Sequence, residues 1–250
     1  MAPTEGDAGL RVVAWNCRAG LTTKKAAAIE ALGADVVVIC ELQSAFVPLL
    51  GRSLLVRDAT ARRGRAVMSR LPVVGAVEAD DPGLPWLLPV RLEIEGTDPL
   101  TLLALWTVQG EGSPSYVRQA QAAITAWDEA CAASRRQPWH RTILAGDFNA
   151  SMQGTHRAQH AQTLAMLASR GMVSGYHVEH GCEHGEEPVG TLRWVGRGGV
   201  PASFQCDFVF VSDDLRPGLR AQVGAHAGWI GPGMSDHAPV IVDLLVGSRS

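Results

Sequence analysis

Short apolar runs and amphipathic segments alternate along the whole chain. Eight runs rich in valine, isoleucine and leucine have the length of buried strands and are bounded by polar residues or glycine. These predicted strands cover residues 10–16, 35–40, 66–69, 87–94, 100–108, 142–146, 207–211 and 238–245. The last one follows directly after an acid and an imidazole, Asp236 and His237, so the role of such side chains at the entrance of a strand needs an explanation.

Helical segments separate the strands. Thr22 or Thr23 can cap a helix over the sequence KKAAAIEALG, which should end at Gly33. Ser113 and Pro114 predict the cap and the first turn of a second helix. Its apolar face recurs at helical spacing and consists of Val117, Ala120, Ile124, Trp127 and Cys131. A third helix is predicted over residues 161–169.

The interleaving of strands and helices defines the expected organisation. The chain contains no internal repeat and no linker long enough to divide it. We therefore predict an α/β fold in a single domain over residues 10–247, preceded by a disordered tail of residues 1–9.

Composition narrows the class of protein without naming a function. Lysine and arginine number 22 against 25 acids, a net charge of −3, so no general basicity indicates a long nucleic-acid footprint. No run of 18 apolar residues predicts a transmembrane segment, and the polar start MAPTEGDAG is not a secretory signal. Five cysteines without a C-x-x-C pair indicate no disulfide framework. We expect a cytoplasmic, reducing location.

Polar residues gather at the ends of the predicted strands. Those that follow a strand are Asn16, Glu41, Asp147 and Asn149. Those that precede one are Asp207, Asp236 and His237. Each alone is an ordinary turn residue. The two groups can share one edge only if the later strands run antiparallel to the earlier ones, which predicts mixed sheets and one polar rim.

Five segments together resemble a known family. WNCRAG, VICEL, AGDFNA, CDFVFVS and SDHAPV occur in this order. They are similar to motifs of the endonuclease/exonuclease/phosphatase superfamily, which includes deoxyribonuclease I, exonuclease III, apurinic endonucleases, inositol-polyphosphate phosphatases and neutral sphingomyelinases. The resemblance extends from Leu10 to about Val246. It implies a four-layer α-β-β-α sandwich of two mixed β-sheets, in agreement with the shared rim.

The acids of the rim imply a metal ion. Four carboxylates in one cleft would repel each other, and a divalent cation removes that conflict. Hard oxygen ligands with an amide favour Mg2+ or Mn2+ over Zn2+. The resemblance implies that Glu41 is the principal metal ligand and that Asn16 and Asp236 complete or support the shell.

The resemblance also implies the catalytic roles. Asp147 would orient or deprotonate the attacking water, and Asn149 would hold the phosphate. His237 would donate a hydrogen bond to a non-bridging oxygen as charge develops there, and Asp207 would hold the imidazole protonated. Asp236 would then contact the metal and His237 the phosphate. The two residues would be adjacent in sequence because metal and phosphate lie side by side in the site.

Departures from the family and a few surface residues bear on the substrate. Trp106 stands nearest the position where many members carry His or Tyr, although another register would present Thr107 or Gln109 instead, and QCDF replaces the usual HIDY. Trp106 is therefore expected to form a wall or stacking surface of the cleft. Candidate substrate-binding residues are Arg63 and Arg65 in a basic cluster, together with Arg193 and Trp194. Arginine binds phosphate and tryptophan stacks on bases, but a solvated arginine loop explains the cluster equally simply.

A second group of residues lies in YHVEHGCEHGEE. His177, His180, Cys182 and His184 have separations that permit zinc binding, although the pattern is not a standard finger. The alternative is a polar loop rich in glycine and glutamate.

The leading functional hypothesis is a Mg2+- or Mn2+-dependent phosphodiester hydrolase, a nuclease acting on DNA or RNA. The alternative within the fold is a phosphatase or a sphingomyelinase-like phosphodiesterase acting on small phosphoesters or lipid head groups, because fold does not determine substrate. A third hypothesis is a catalytically inactive binding module. The expected partner is nucleic acid or another phosphodiester substrate, and no protein partner is predicted.

Overall fold

The structure is a computed structural model that describes residues 8–57, 64–76, 86–108, 113–195 and 199–247. The strands are β1 Ala8–Asn16, β2 Val36–Cys40, β3 Ser53–Arg57, β4 Arg65–Ser69, β5 Val73–Ala76, β6 Leu87–Leu92, β7 Leu100–Trp106, β8 Thr142–Asp147, β9 Met172–Ser174, β10 Leu192–Val195, β11 Pro201–Phe204, β12 Asp207–Ser212, β13 Arg220–Val223 and β14 Val240–Val246. The helices are α1 Thr23–Ala31, α2 Tyr116–Ala133, α3 Arg157–Ala168, α4 Gly175–His180 and α5 His226–Trp229, with a 3-10 turn at Asp213–Leu215.

Two six-stranded sheets and one hairpin contain these strands. The first sheet has the order β13-β14-β1-β2-β4-β3, the second β5-β6-β7-β8-β12-β9, and β10 pairs with β11. Within the described strands, β1–β2 and β7–β8 are parallel pairs and their other partners are antiparallel. Both sheets are therefore mixed, as predicted, and β12 and β14 enter the sheets at the edge where β8 and β1 leave them.

Alternation along the strands divides the core into three layers of contacts. On β1, Val12 and Ala14 point between the two sheets, whereas Val13 and Trp15 point outward against α1. On the second sheet, α2 covers the outer face of β7 and β8, with Trp127 among its buried residues. The order helix, sheet, sheet, helix is the predicted four-layer α-β-β-α sandwich.

The eight predicted strands are all present, with ends that differ by up to two residues. The predicted helices needed corrections. The second begins at Tyr116 after Ser115, so Ser113 and Pro114 precede it, and the third begins at Arg157, four residues earlier than expected. The segment YHVEH, read as a loop, is the helix α4. Sequence reasoning missed the short strands, because edge strands such as β3 and β11 leave many side chains exposed and show no clear apolar run.

Gly146 permits the close approach of two central strands just before the polar rim. Its φ is +140°, and a Cβ there would lie 1.9 Å from the carbonyl oxygen of Leu105 on β7. Any side chain would push β8 away from β7, so glycine is required at this position. Across the described residues, no helix combines the length and apolar composition needed to cross a bilayer.

Candidate active site

Strand alternation places three polar side chains on the inner faces of the two sheets, at one end. Asn16 continues the inward row of β1, Asp147 that of β8 and Asp207 that of β12. Asp207 is the register partner of Asp147 across β12 and β8. The rim predicted from the strand ends is therefore formed by both sheets together.

Asn16 connects the two sheets at this rim. Its Nδ2 donates to Asp147 Oδ2 at 2.9 Å and to Glu41 Oε1 at 3.1 Å. Asn149 supports the same carboxylate, because its backbone N–H donates to Asp147 Oδ1 at 2.8 Å and its Nδ2 donates to Oδ2 at 2.8 Å. Asp147 is fully buried, and these hydrogen bonds offset part of its desolvation.

Glu41 reaches the rim only because the backbone turns at its position. On β2, Ile39 points to the outer core, so alternation alone would send Glu41 the same way. Its φ of +59° ends the strand and redirects the carboxylate toward Asn16. Left-handed backbone at a glutamate is uncommon and costs free energy, which the surrounding contacts must offset.

Lys25 stabilises the loop beside Glu41, and sequence reasoning missed it. Its ammonium donates to the carbonyl oxygens of Cys17, Arg18 (2.8 Å) and Gly20 (3.0 Å). Two residues of this loop, Arg18 and Ala19, have positive φ. A sequence signal exists: Lys25 is four residues before Ile29, on the buried face of α1, where a lysine needs internal acceptors.

His237 and Asp207 form a buried pair next to Asp147. His237 Nδ1 lies 2.7 Å from Asp207 Oδ2, and one ligand-type atom of each of His237, Asp207 and Asp147 lies within 4.8 Å of the others. Thr191 Oγ1 accepts the backbone N–H of Asp207 at 3.0 Å, and Ser235 Oγ accepts that of His237 at 3.0 Å. Neither Thr191 nor Ser235 was singled out from the sequence, since both act through backbone groups.

Burial and neighbouring charges shift the protonation of this group. Burial and repulsion from Asp207 raise the pKa of Asp147 to about 7, although His237 and the hydrogen bonds from Asn16 and Asn149 oppose the rise. Burial lowers the pKa of His237, but attraction to Asp207 and the hydrogen bond with it prevail and raise this pKa to about 10. The arrangement thus combines a protonated imidazole with a carboxyl group able to exchange a proton near neutrality.

The candidate substrate-binding residues lie in different parts of the structure. Trp106 faces inward beside its register partner Asp147, is 7 % exposed, and its Nε1 has no hydrogen-bond partner among the described residues. The register alternative Thr107 instead donates its hydroxyl to the Phe148 carbonyl, and Gln109 lies outside the described residues. Arg65, at 1 % exposure, is buried at the start of β4, so it belongs to no solvated loop.

The other candidate substrate-binding residues are Arg193 and Trp194, which lie on the β10–β11 hairpin, and Arg63. Trp194 is 57 % exposed and Arg193 is exposed beside it. The backbone N–H of Arg193 donates to the Asp236 carbonyl at 2.9 Å, so the hairpin leaves directly from the rim. Arg63 lies outside the described residues.

A family model agrees with this arrangement. The model of the Endonuclease/Exonuclease/phosphatase family matches residues 13–237, most of the chain. The chain belongs to this family. Members of the endonuclease/exonuclease/phosphatase family are hydrolytic phosphoesterases that generally use divalent metal ions. No curated protein sequence matches the chain.

Solved structures share the fold at low sequence identity. An AP endonuclease from Archaeoglobus fulgidus superposes with a TM-score of 0.66 at 13 % identity, covering 93 % of this chain and 98 % of that one. The 3' phosphatase NExo from Neisseria, bound to a product DNA hairpin, gives 0.65 at 17 % identity, with coverages of 93 % and 98 %. The endonuclease domain of TRAS1, a telomere-specific non-LTR retrotransposon, gives 0.62 at 19 % identity, with coverages of 94 % and 98 %.

Two carboxylates of the rim can serve as oxygen ligands of a hard divalent cation, the kind of ion that family members generally use. Glu41 and Asp236 are partly exposed oxygen donors, and Asp236 Oδ2 lies 3.5 Å from the Arg18 guanidinium. Asn16 presents its amide nitrogen to Glu41, so it orients this carboxylate in the structure as it stands. The more deeply buried acids are less available, because both Asp147 oxygens accept hydrogen bonds and Asp207 holds His237. The donor set fits Mg2+ or Mn2+.

Proposed function

We propose that the protein is a Mg2+- or Mn2+-dependent phosphodiester hydrolase, a nuclease acting on DNA or RNA. The observation that carries the proposal is the hydrogen-bonded array that links Glu41 through Asn16 to Asp147, directly beside the Asp207–His237 pair. This array supplies a cation site, a proton acceptor and a proton donor within one rim, which are the functions that phosphoryl transfer to water requires.

The cation would be held by Glu41 and Asp236, with Asn16 fixing the orientation of Glu41. When bound, such an ion polarises a phosphoryl oxygen and stabilises the leaving oxyanion. Arg18, whose guanidinium now lies near Asp236, is largely exposed and is free to rotate toward a phosphate of the substrate.

Asp147 would accept the proton of the attacking water. Its raised pKa of about 7 matches the requirement of a general base that works near neutral pH. Asn16 and Asn149 hold the carboxylate in place from two sides. Asn149 Nδ2 also donates to the Thr107 carbonyl at 2.8 Å, so the phosphate contact implied for Asn149 requires the exchange of one of these bonds.

His237 would donate to a non-bridging phosphate oxygen. Its Nδ1 is engaged by Asp207, which leaves Nε2 for the substrate. The raised pKa keeps the ring cationic at neutral pH, so charge that develops on phosphorus oxygens in the transition state meets a fixed positive donor. Asp207 acts through His237 and is therefore a positioning residue.

The β10–β11 hairpin favours a nucleic-acid substrate over a small phosphoester. Leu192 forms an isolated bridge with His237, and Trp194 projects two residues further along. An exposed tryptophan beside Arg193 can stack on a base while the guanidinium contacts a phosphate. Three structurally similar proteins are an endonuclease domain, an AP endonuclease and a phosphatase bound to a DNA hairpin, which supports the same choice.

A phosphatase, or a sphingomyelinase-like phosphodiesterase, is the second candidate. The net charge of −3 favours it, because extended duplex binding relies on many phosphate contacts. An inactive binding module is disfavoured by the intact hydrogen-bond array around Asp147.

The test is hydrolysis by the purified chain of DNA, RNA, abasic DNA, inositol phosphates and sphingomyelin with Mg2+ or Mn2+. We expect cleavage of nucleic acid that needs the metal and disappears in Asp147→Asn. Trp194→Ala should raise KM for oligonucleotides and leave a small activated diester unaffected. Cleavage of lipid or inositol phosphate alone would support the second candidate, and no hydrolysis with any substrate would favour a binding module.

A further inference from the structure

A second cluster of metal-binding side chains lies away from the rim. The Nε2 atom of His177 lies 3.0 Å from the Oε1 atom of Glu187. The ring of His184 stacks on the ring of His177 at a centroid distance of 3.6 Å. One ligand atom from each of these three residues lies within 4.8 Å of the other two. His180 and Cys182 do not belong to this set, so the structure replaces them with Glu187 in the candidate site inferred from the sequence.

Buried polar atoms without partners distinguish the cluster from an ordinary core. His160 is 1 % exposed, and neither of its ring nitrogens has a hydrogen-bond partner among the described residues. Within the part of the chain that the structure describes, Glu187, whose side chain is 3 % exposed, leaves Oε2 unpartnered, and His184 leaves Nδ1 unpartnered. Buried polar groups are normally satisfied, so such a concentration of unpartnered atoms points to a missing ligand.

Further hydrogen bonds hold the His177 ring and the Glu187 carboxylate in the orientation that a cation needs. Ser174 Oγ lies 2.7 Å from His177 Nδ1 and so leaves Nε2 facing Glu187. The backbone N–H of Gly185 donates to Glu187 Oε1 at 2.9 Å. Hydrogen bonds of this kind, from behind the ligand, fix the ring and the carboxylate in metal sites.

We propose that His177, His184 and Glu187 bind a Zn2+ ion, with a water molecule as the fourth ligand. Two imidazoles and one carboxylate form a donor set that suits zinc rather than the hard cation of the rim. When the ion binds His177 Nε2, the ring carries its proton on Nδ1, where Ser174 Oγ can accept the hydrogen bond.

The position of the cluster indicates a structural role. The three imidazoles surround Phe208, with centroid distances of 5.7 Å for His160, 5.9 Å for His184 and 6.3 Å for His177. Phe208 points away from the rim on the strand that carries Asp207. Zinc would fasten the segment after α4, which carries His184 and Glu187, to His177 of α4 behind this strand, and that segment continues to Thr191, which holds the Asp207 backbone.

The test is metal content and spectroscopy of the untagged chain, kept in millimolar Mg2+ so that the rim is saturated. Elemental analysis after reloading with Zn2+ and dialysis should find one zinc per chain. Protein that has been stripped of metal with a chelator and then supplied with Co2+ should show the visible absorption of tetrahedral Co2+. Added Zn2+ should then displace the cobalt and remove this absorption. Absence of bound zinc and of a tetrahedral cobalt spectrum in the wild-type chain overturns the proposal, whatever the outcome for hydrolytic activity.

Variants locate the ion. Glu187→Gln and His184→Asn should each weaken zinc binding by more than about 100-fold, since loss of an outer contact alone costs about 10- to 100-fold. His180→Ala, an exposed histidine of the same segment, and Asp147→Asn at the rim are matched controls that should retain one zinc. Retention by both ligand variants, or equal loss in the controls, contradicts the assignment. Circular dichroism in chelator verifies that each variant is folded, and if one variant is not, the other decides.

Discussion

Histidines lie on both sides of β12, and their pKa values shift in opposite directions although burial lowers the pKa on both sides. On the inner side His237 hydrogen-bonds to Asp207, and its pKa rises to about 10. On the outer side, burial lowers the pKa of His160 to about 4 and that of His184 to about 3. Similar burial therefore produces a cation where a carboxylate is hydrogen-bonded to the ring and neutral rings where none is.

The difference separates two kinds of chemistry on one strand. A cationic imidazole is a hydrogen-bond donor for phosphate, and neutral imidazoles are metal ligands. Both sides of the strand leave buried polar atoms without partners among the described residues: Asp207 Oδ1 and Trp106 Nε1 at the rim, and atoms of His160, His184 and Glu187 in the outer cluster, which these three residues form with His177. A bound substrate or metal ion can complete each site at such atoms.

The largest effect is expected from Asp147→Asn. The amide is nearly isosteric and can keep one contact to Asn16, but it cannot accept the proton of water. Turnover should fall by about 10²- to 10⁴-fold, the usual contribution of general base catalysis. Binding of Mg2+ or Mn2+, measured by calorimetry, should largely survive.

Glu129→Gln, at an exposed acid of α2, is the control for this substitution. If Asp147→Asn and Glu129→Gln had the same turnover, Asp147 would have no role as the base.

Asp207→Asn tests directly why the pKa of His237 is raised. The variant leaves His237 without a carboxylate hydrogen-bonded to its ring, as in His160 and His184. Without the carboxylate, burial is the main remaining influence and lowers the pKa of His237. The wild-type ring stays cationic until pH rises through about 10, whereas in the variant the cation is lost at much lower pH. Activity should fall by about 100-fold at pH 8, as for the loss of one charged donor, and less at acidic pH.

The measurement is kcat against pH for the wild type, Asp207→Asn and Asp147→Asn. The optimum of Asp207→Asn should move downward. A loss that is equal at every pH would show that Asp207 has only a structural role.

Metal binding at the rim should stabilise the fold, since an ion that binds only the native state shifts the unfolding equilibrium. At about 100 times the dissociation constant the gain is about 2.7 kcal/mol. Millimolar Mg2+ or Mn2+ should therefore raise Tm by several degrees, and Glu41→Ala should abolish most of the rise while Glu129→Ala preserves it. Tm should be measured by calorimetry at a constant zinc content, which separates stabilisation by metal at the rim from stabilisation by zinc at the outer cluster. An unchanged Tm in the wild type counts against the rim site.

The sequence was informative where local pattern and position coincide. Asn16, Asp147 and Asp207 end or begin apolar strands, and alternation with their neighbours predicts which face they share. Glu41 was found by motif, although its direction depends on a positive φ that composition does not reveal. Thr191 and Ser235 were missed because they hold backbone groups that are distant in sequence.

The outer cluster shows the same limit. The segment around His177 and His184 was visible as a group of possible ligands, but Glu187 and His160 were not connected with it. His160 comes from α3, and only the packing of that helix against β12 brings its ring to Phe208. Local spacing therefore identified two of the three proposed ligands, and the structure added Glu187 and the neighbouring His160.

The smallest effect is expected from Trp106→Ala. Its indole is buried beside Asp147, and Trp offers one N–H donor and no titratable group near neutrality, so it cannot protonate a leaving oxygen. Loss of its stacking surface should raise KM by about tenfold, in keeping with about 1–3 kcal/mol for stacking on one base, and leave kcat nearly unchanged. Steady-state kinetics beside Asp147→Asn, on one activated and one unactivated diester, provide the measurement. Should Trp106→Ala lose turnover as severely as Asp147→Asn on both diesters, with KM unaltered, then the indole N–H acts in the chemical step and His237 is not the sole donor of the rim.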